Sequence, residues 1–243
     1  MEVWGLTDPG LVRTQNQDYY LLQKLGNHDL LAVVCDGMGG ARSGNIASRL
    51  AAEIFTKEVK QGYHPNMTQD QADYLLRTAI SIANTAVYEN GQLNPDMKGM
   101  GTTLVAVLVV SMRAYFANVG DSRGYLMNPQ GIQRVTLDHS LVELMVQRGE
   151  LTSEQAKSYP GKNFITRAIG TEQNVQCDLY TSVLRPGDCI LLCSDGLTNH
   201  LADQELLFEV IHGVNKQDCC QRLLGIAKDR GAPDNVTAVL VVC

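Results

Sequence analysis

The chain has 243 residues, 44% hydrophobic and 19% charged, which suits one or two domains with a substantial core. Lys and Arg number 20 against 26 Asp and Glu, a net charge of −6 that argues against a nucleic-acid surface. No apolar run approaches the roughly 18 residues of a membrane-spanning helix, and the N-terminal MEVWGLTDPG lacks the basic and apolar regions of a signal peptide, so the expected setting is the cytoplasm, with no membrane partner.

EVWGLT and DYYLLQK are short strand candidates, followed by the apolar run LLAVVCD at 30–36. In 44–61, Ile46, Leu50 and Ile54 recur at four-residue spacing beside Ala47, Ala51 and Phe55, which predicts an amphipathic helix. A second helix is predicted over 68–90, with Thr68 as its cap and Ala72, Leu75, Leu76, Ala79, Ile82, Ala83 and Ala86 on one side. Strands are predicted at 102–110, 113–121 and 123–128. Ser111-Met112 and Gly120-Asp121 both read as hairpin turns, which makes all three strands antiparallel neighbours. Residues 139–165 are irregular, with a short amphipathic helix at 141–148, and read as an excursion from the sheet. QCDLYTSVL, DCILLCSD (188–195), helices at 203–212 and 216–230, and NVTAVLVVC (235–243) complete the chain. Strands and helices come in blocks. The expected fold is α+β, a four-layer α-β-β-α sandwich of two antiparallel sheets flanked by helices, in a single domain over 1–243. The seven cysteines form no CxxC pair, and Cys35, Cys189 and Cys193 sit in apolar runs, so buried thiols are expected rather than disulfides or a zinc site.

Aspartates recur where these runs meet loops. Asp36 and Asp195 each end an apolar run and precede a glycine, Asp121 ends AYFANVGD, Asp234 opens the last strand, and Asp18 precedes YYLLQ. Each is by itself compatible with a turn former, since Asp-Gly is a favoured hairpin pair. Taken together they point to a shared sheet edge, where clustered carboxylates need a divalent cation; oxygen-only donors favour Mg²⁺ or Mn²⁺ over zinc. Three rival motifs fall short. Gly39 to Gly44 has phosphate-loop spacing but is followed by Asn45-Ile46 instead of Lys-Ser/Thr. Gly120-Asp121-Ser122-Arg123-Gly124 matches G-x-S-x-G but is followed by a strand instead of a helix. Gly37-Met38-Gly39 meets Arg42 where a dinucleotide fingerprint needs glycine.

RTQNQD (13–18), VVCDGMGG (33–40), GTT (101–103), ANVGDSRGY (117–125), DHS (138–140), ITRAIG (165–170), LLCSDGL (191–197) and PDNVT (233–237) occur in the order seen in metal-dependent protein phosphatases of the 2C type. The chain resembles the bacterial stand-alone members from Val3 to Val242. That resemblance implies a phosphoprotein phosphatase that hydrolyses phosphoserine or phosphothreonine with a metal-activated water and no phosphoenzyme. It implies two core Mg²⁺ or Mn²⁺ ions held by Asp18, Asp36, the Gly37 carbonyl, Asp195 and Asp234, and a third ion at Asp121 and Asp195. It also implies that Arg13 grips the substrate phosphate, that Asp36 and Asp195 are catalytic through the metals, and that 139–165 form the flap that influences substrate choice. The expected partner is a phosphorylated protein, and the expected state a monomer.

Two departures stand out. Gln17 replaces the acidic residue of the family's Asn-Glu-Asp, and Ala41 stands where bacterial members usually carry histidine; Met38 likewise replaces the histidine of eukaryotic relatives. Loss of a general acid lowers turnover by roughly 10²–10⁴-fold, unless a metal-bound water replaces it. His139 is the nearest other motif histidine, read as a structural hydrogen bonder near the flap. The alternatives are a phosphoprotein-binding pseudophosphatase and a metal-independent serine hydrolase using Ser122.

Overall fold

Side chains alternate across a strand, so a strand covered on both faces reads as an unbroken apolar run; LLAVVC at 30–35 is one. The computed structural model describes residues 1–26, 28–39 and 43–243. In chain order its elements are β1 (Glu2–Asp8), β2 (Asp18–Lys24), β3 (Leu30–Met38), α1 (Gly44–Gly62), α2 (Gln69–Leu93), β4 (Gly101–Thr102), β5 (Leu104–Val110), β6 (Arg113–Val119), β7 (Arg123–Asn128), β8 (Gly131–Arg134), α3 (Leu141–Gln147), α4 (Ser153–Lys157), β9 (Asp178–Val183), β10 (Cys189–Cys193), α5 (Asp195–Thr198), α6 (Asp203–His212), α7 (Cys219–Asp229) and β11 (Val236–Val242). One sheet runs β1-β11-β10-β7-β8, the other β2-β3-β5-β6-β9, with β4 beside β3. Every pairing is antiparallel.

The two faces of β3 show how the layers form. Leu30, Ala32 and Val34 enter the core between the sheets, with Val105, Phe116, Leu192 and Val239. Leu31, Val33 and Cys35 face the other way, against Phe55 of α1 and Leu76 and Ile80 of α2. On the far side, Leu191, Cys193 and Leu240 pack against Leu206 of α6 and Leu223 of α7. These are the four layers expected, and each fully buried Leu or Val contributes about 1.5–3 kcal/mol relative to exposure. Thr68 caps α2 with a reciprocal capping box to Gln71.

Five local expectations change. Residues 113–119 and 123–128 are not hairpin partners: β6 pairs with β5 and β9, whereas β7 pairs with β8 and β10. The chain crosses between sheets at 120–122. Gly120 has φ +106°, and an added Cβ there would lie 2.6 Å from Thr103 Cγ2, so only glycine fits. The run from 102 splits, because Gly101–Thr102 pair with Gly37–Met38 while Leu104 onward pairs deeper along β3 and β6. Asp195 does not end a strand but starts α5. Ile82 is exposed, because the buried stripe of α2 runs through Ala79, Ile80, Ala83 and Val87. Between Ser140 and Ile165, which form an isolated bridge, lie α3 and α4, the latter not foreseen. Among the described residues no helix is long and apolar enough to cross a membrane.

Candidate metal and phosphate site

The ladder between β2 and β3 sets Asp18 directly opposite Asp36. Like charges in register repel, and the other carboxylates add to the same end of the sandwich. A cavity of about 520 Å³ is lined by Arg13, Asp36, Gly37, Asp121, Asp195 and Asp234. That is the sequence-predicted set apart from Asp18, which is buried.

Four of the five aspartates are each held by a different device. The Asp36 backbone donates to Thr103 Oγ1 (2.9 Å) and accepts from Thr103 N (2.8 Å) and Thr102 Oγ1 (2.9 Å). Thr103 in turn bonds Ser122 Oγ at 2.7 Å. Ser122 is fully buried, so it is not presented as a nucleophile and the serine-hydrolase alternative loses its basis. Asp18 Oδ2 accepts from Ser194 Oγ (2.7 Å) and Thr237 Oγ1 (2.6 Å). Behind them, Thr237 bonds Thr7, which accepts from Asn16. Asp195 Oδ2 accepts from Asn199 Nδ2 at 3.1 Å. Asp234 takes a two-pronged bond from Arg13, Nε to Oδ1 and Nη2 to Oδ2, both 2.9 Å.

Asn235 fixes the loop that carries Arg13. Its Nδ2 donates to the carbonyls of Pro9 and Gln15 (both 3.0 Å), and its Oδ1 accepts from Gln17 N (2.8 Å). An added Cβ on Gly196 would lie 2.0 Å from the Asn235 carbonyl oxygen, so α5 approaches this segment only through glycine. Gln17 lies over the start of α1, where a Cβ on Gly44 would come within 2.8 Å of its Cδ. Most of these polar side chains sit inside motifs visible in the sequence, but the partners of Asp18, Arg13 and Asn235 lie 176 to 226 residues away, so their roles were not.

Burial is the main influence on the carboxylates. It pushes Asp18 up to about 7, opposed by the Ser194 and Thr237 hydroxyls and reinforced by Asp195 and Asp234. It also raises Asp36 well above the usual range, reinforced by the charges of Asp18, Asp195, Asp121 and Asp234. Burial and Asp195 push Asp121 up to about 8; burial and Asp234 raise Asp195. The bond to Asp234 raises Arg13 further above its already high value.

This donor set fits a hard divalent cation. Asp18 Oδ1 is buried without a hydrogen-bond partner, an arrangement costly unless a ligand meets it. The neighbouring donors are oxygens only, as Mg²⁺ and Mn²⁺ prefer. Among the described residues no three His, Cys, Asp or Glu side chains form a ready-made nest for one ion. Such a spread suits ions that take one or two carboxylates and keep several waters.

His139 lies at the sheet crossing. Its Nδ1 accepts from Gly120 N at 3.1 Å, so its Nε2 carries the proton and donates to Asp178 Oδ2 at 3.1 Å. Burial lowers its pKa. Ala41 lies outside the described residues.

A family model described as Protein phosphatase 2C matches residues 12–224. A serine/threonine phosphatase of Listeria monocytogenes is 34% identical over 235 residues, spanning 97% of this chain and 93% of its own. The crystal structure of a serine/threonine phosphatase from Staphylococcus aureus superposes with a TM-score of 0.93 at 36% identity, covering 100% of this chain and 94% of that one. The catalytic domain of the serine/threonine protein phosphatase PstP, in complex with two manganese ions, superposes with a TM-score of 0.84 at 31% identity, covering 98% of this chain and 96% of that one.

Proposed function

The chain belongs to the protein phosphatase 2C family, and from that membership and the carboxylate site we propose that it hydrolyses phosphoserine and phosphothreonine in proteins in a reaction that requires Mg²⁺ or Mn²⁺. It is a protein serine/threonine phosphatase, and divalent metal is its cofactor. The metal requirement rests chiefly on one observation, the partnerless buried oxygen of Asp18 in a residue surrounded by four more carboxylates. The proposed core shell for two ions is Asp18, Asp36, the Gly37 carbonyl, Asp195 and Asp234, with Asp121 and Asp195 serving a third.

When bound, such ions supply Lewis acidity, making a water nucleophilic at neutral pH and offsetting charge on the phosphoryl oxygens. The chain's own groups do the positioning. Arg13 presents a planar fork that matches two phosphate oxygens. It now grips Asp234, but the pair is exposed, 56% and 42%, and exposed pairs contribute about 0–1 kcal/mol, so the guanidinium exchanges partners readily. The threonine clamp on the Asp36 backbone and the hydroxyl pair on the Asp18 carboxylate fix both residues before substrate arrives, so less reorganisation remains for the reaction itself.

The proposal extends to a single catalytic domain over 1–243 with a flap at about 139–165, acting as a monomer in the cytoplasm, in signal transduction, on phosphorylated proteins and not on nucleic acid or membranes. Ala41 is proposed to lower turnover, so Ala41→His raises kcat on phosphopeptides; an unchanged rate removes that position from the acid–base chemistry. The central test is hydrolysis of a phosphothreonine peptide with Mn²⁺, with excess EDTA, and by Asp195→Ala with Mn²⁺. Turnover only in the first supports the proposal, and turnover surviving EDTA refutes it.

A further inference from the structure

The helix α3 is built from LVELMVQ, mostly apolar, yet none of its residues is buried. Leu141 and Leu144 are 37% and 36% exposed, and nearby Phe164 is 68% exposed. The backbone keeps Phe164 beside the start of α3, because Leu141 N donates to the Phe164 carbonyl at 2.8 Å. A Cβ built on Gly161 would lie 3.1 Å from Phe164 Cδ2 and 3.5 Å from Leu141 Cδ2, so the two side chains flank that glycine as one apolar patch. Phe164 lies between Asn163 and Ile165, both of which line the carboxylate cavity. On another wall of the cavity Arg13 follows Leu11 and Val12, which are 60% and 68% exposed. Among the described residues, five of the thirteen exposed large apolar side chains therefore fall at Leu11-Val12 and Phe164, which adjoin residues lining this cavity, and on α3, whose Leu141 meets Phe164. Isolated exposed apolar side chains are ordinary, whereas a patch beside a binding site marks an interaction surface.

We propose that this rim reads the residues flanking the phosphorylated side chain, so that the preferred substrates are phosphorylated segments with large apolar residues within three positions of the phosphoresidue. The inference rests on the phosphatase reading and narrows its substrate class. The occupant follows from geometry. A polypeptide advances about 3.3–3.6 Å per extended residue, so a segment whose phosphate enters the cavity must lay its neighbouring positions across the rim. Phe164, Leu141 and Leu144 meet those neighbours on one side, and Leu11 and Val12 on the other. An apolar flank removes surface from water on both partners; a serine at the same position gains nothing there and leaves the patch wet.

The test compares two phosphothreonine peptides, one with Leu and Phe flanking the phosphothreonine and one with Ser at those positions, with para-nitrophenyl phosphate as a substrate that has no flanks. All assays contain Mn²⁺. Wild type is expected to favour the apolar peptide about tenfold in kcat/KM, mostly through KM. The pair Leu144→Ser with Phe164→Ser, and separately Leu11→Ser with Val12→Ser, are expected to reduce that preference to below about threefold while leaving para-nitrophenyl phosphate turnover unchanged. Equal kcat/KM on the two peptides in wild type, or a preference that survives both double variants, overturns the inference and leaves the phosphatase reading standing. Absence of hydrolysis of all three substrates overturns the phosphatase reading instead.

Discussion

Two cavities of about 520 Å³ each lie at opposite ends of the sandwich, one lined by Asp29 alone among aspartates and the other by four, with Asp18 buried beside them. At the far end, lined by Tyr63, Ser111 and Met112 among others, both oxygens of Asp29 have partners: Oδ2 accepts from Tyr63 Oη at 2.7 Å and Oδ1 from Ser111 N at 3.0 Å. At the near end Asp18 has two donors on one oxygen and none on the other, and it faces Asp36 across a strand pair. Volume does not separate the two cavities. The chemistry of their carboxylates does: a carboxylate whose oxygens are both used by its own chain is part of the scaffold, and one left half-used among like charges is built for something that arrives later.

The sharpest way to break this comparison is to neutralise one aspartate at each end. Asp195→Asn should lower kcat on a phosphopeptide by roughly 10³-fold, the loss expected when several kcal/mol of transition-state charge stabilisation disappear. Asp29→Asn should leave kcat within error of wild type; a comparable loss there would mean the two ends are not functionally distinct. Next in size, Ser194→Ala removes a hydroxyl that holds Asp18 and should weaken Mn²⁺ binding about 10–100-fold by calorimetry, as loss of ligand-orienting groups does. Gly196→Ala forces a Cβ onto the Asn235 carbonyl and should cost about 1–3 kcal/mol in urea unfolding. In thermal unfolding Asp29→Asn should lower Tm by about 2–4 °C, the shift that about 1 kcal/mol causes at this size.

The smallest expected effect concerns His139. Its folded pKa lies below the ordinary value of 6.5, because burial disfavours the charged ring. The unfolded chain therefore binds a proton that the folded chain refuses, so this contribution to stability is present above pH 6.5 and is lost as pH falls through the folded value. His139→Gln should flatten the fall in stability below pH 6.5; an unchanged slope would assign that fall to other groups.

Much of the candidate site was legible in the linear order of residues. Apolar runs ending at Asp36 and Asp195, and the approaches to Asp121 and Asp234, identified carboxylates that the fold does bring to one end. The two-sided burial of β3 was also readable, since only a strand covered on both faces tolerates LLAVVC without a polar break. What failed was the junction at Gly120-Asp121. A short glycine-bearing link between two apolar runs looks the same whether the chain turns back beside itself or passes to the facing sheet.

The sequence alone therefore determined the layers, most of their apolar faces and the residue types of the site, because strand and helix periodicities are local and the motifs are contiguous. Tertiary structure decided that Asp18 stands opposite Asp36, that Asp121 sits on a crossing and not in a hairpin, and that Ser194 and Thr237 share one oxygen of Asp18. It also decided that Arg13 meets Asp234, 221 positions away. Register and sheet membership set these contacts between distant segments, and no local period in the chain encodes them.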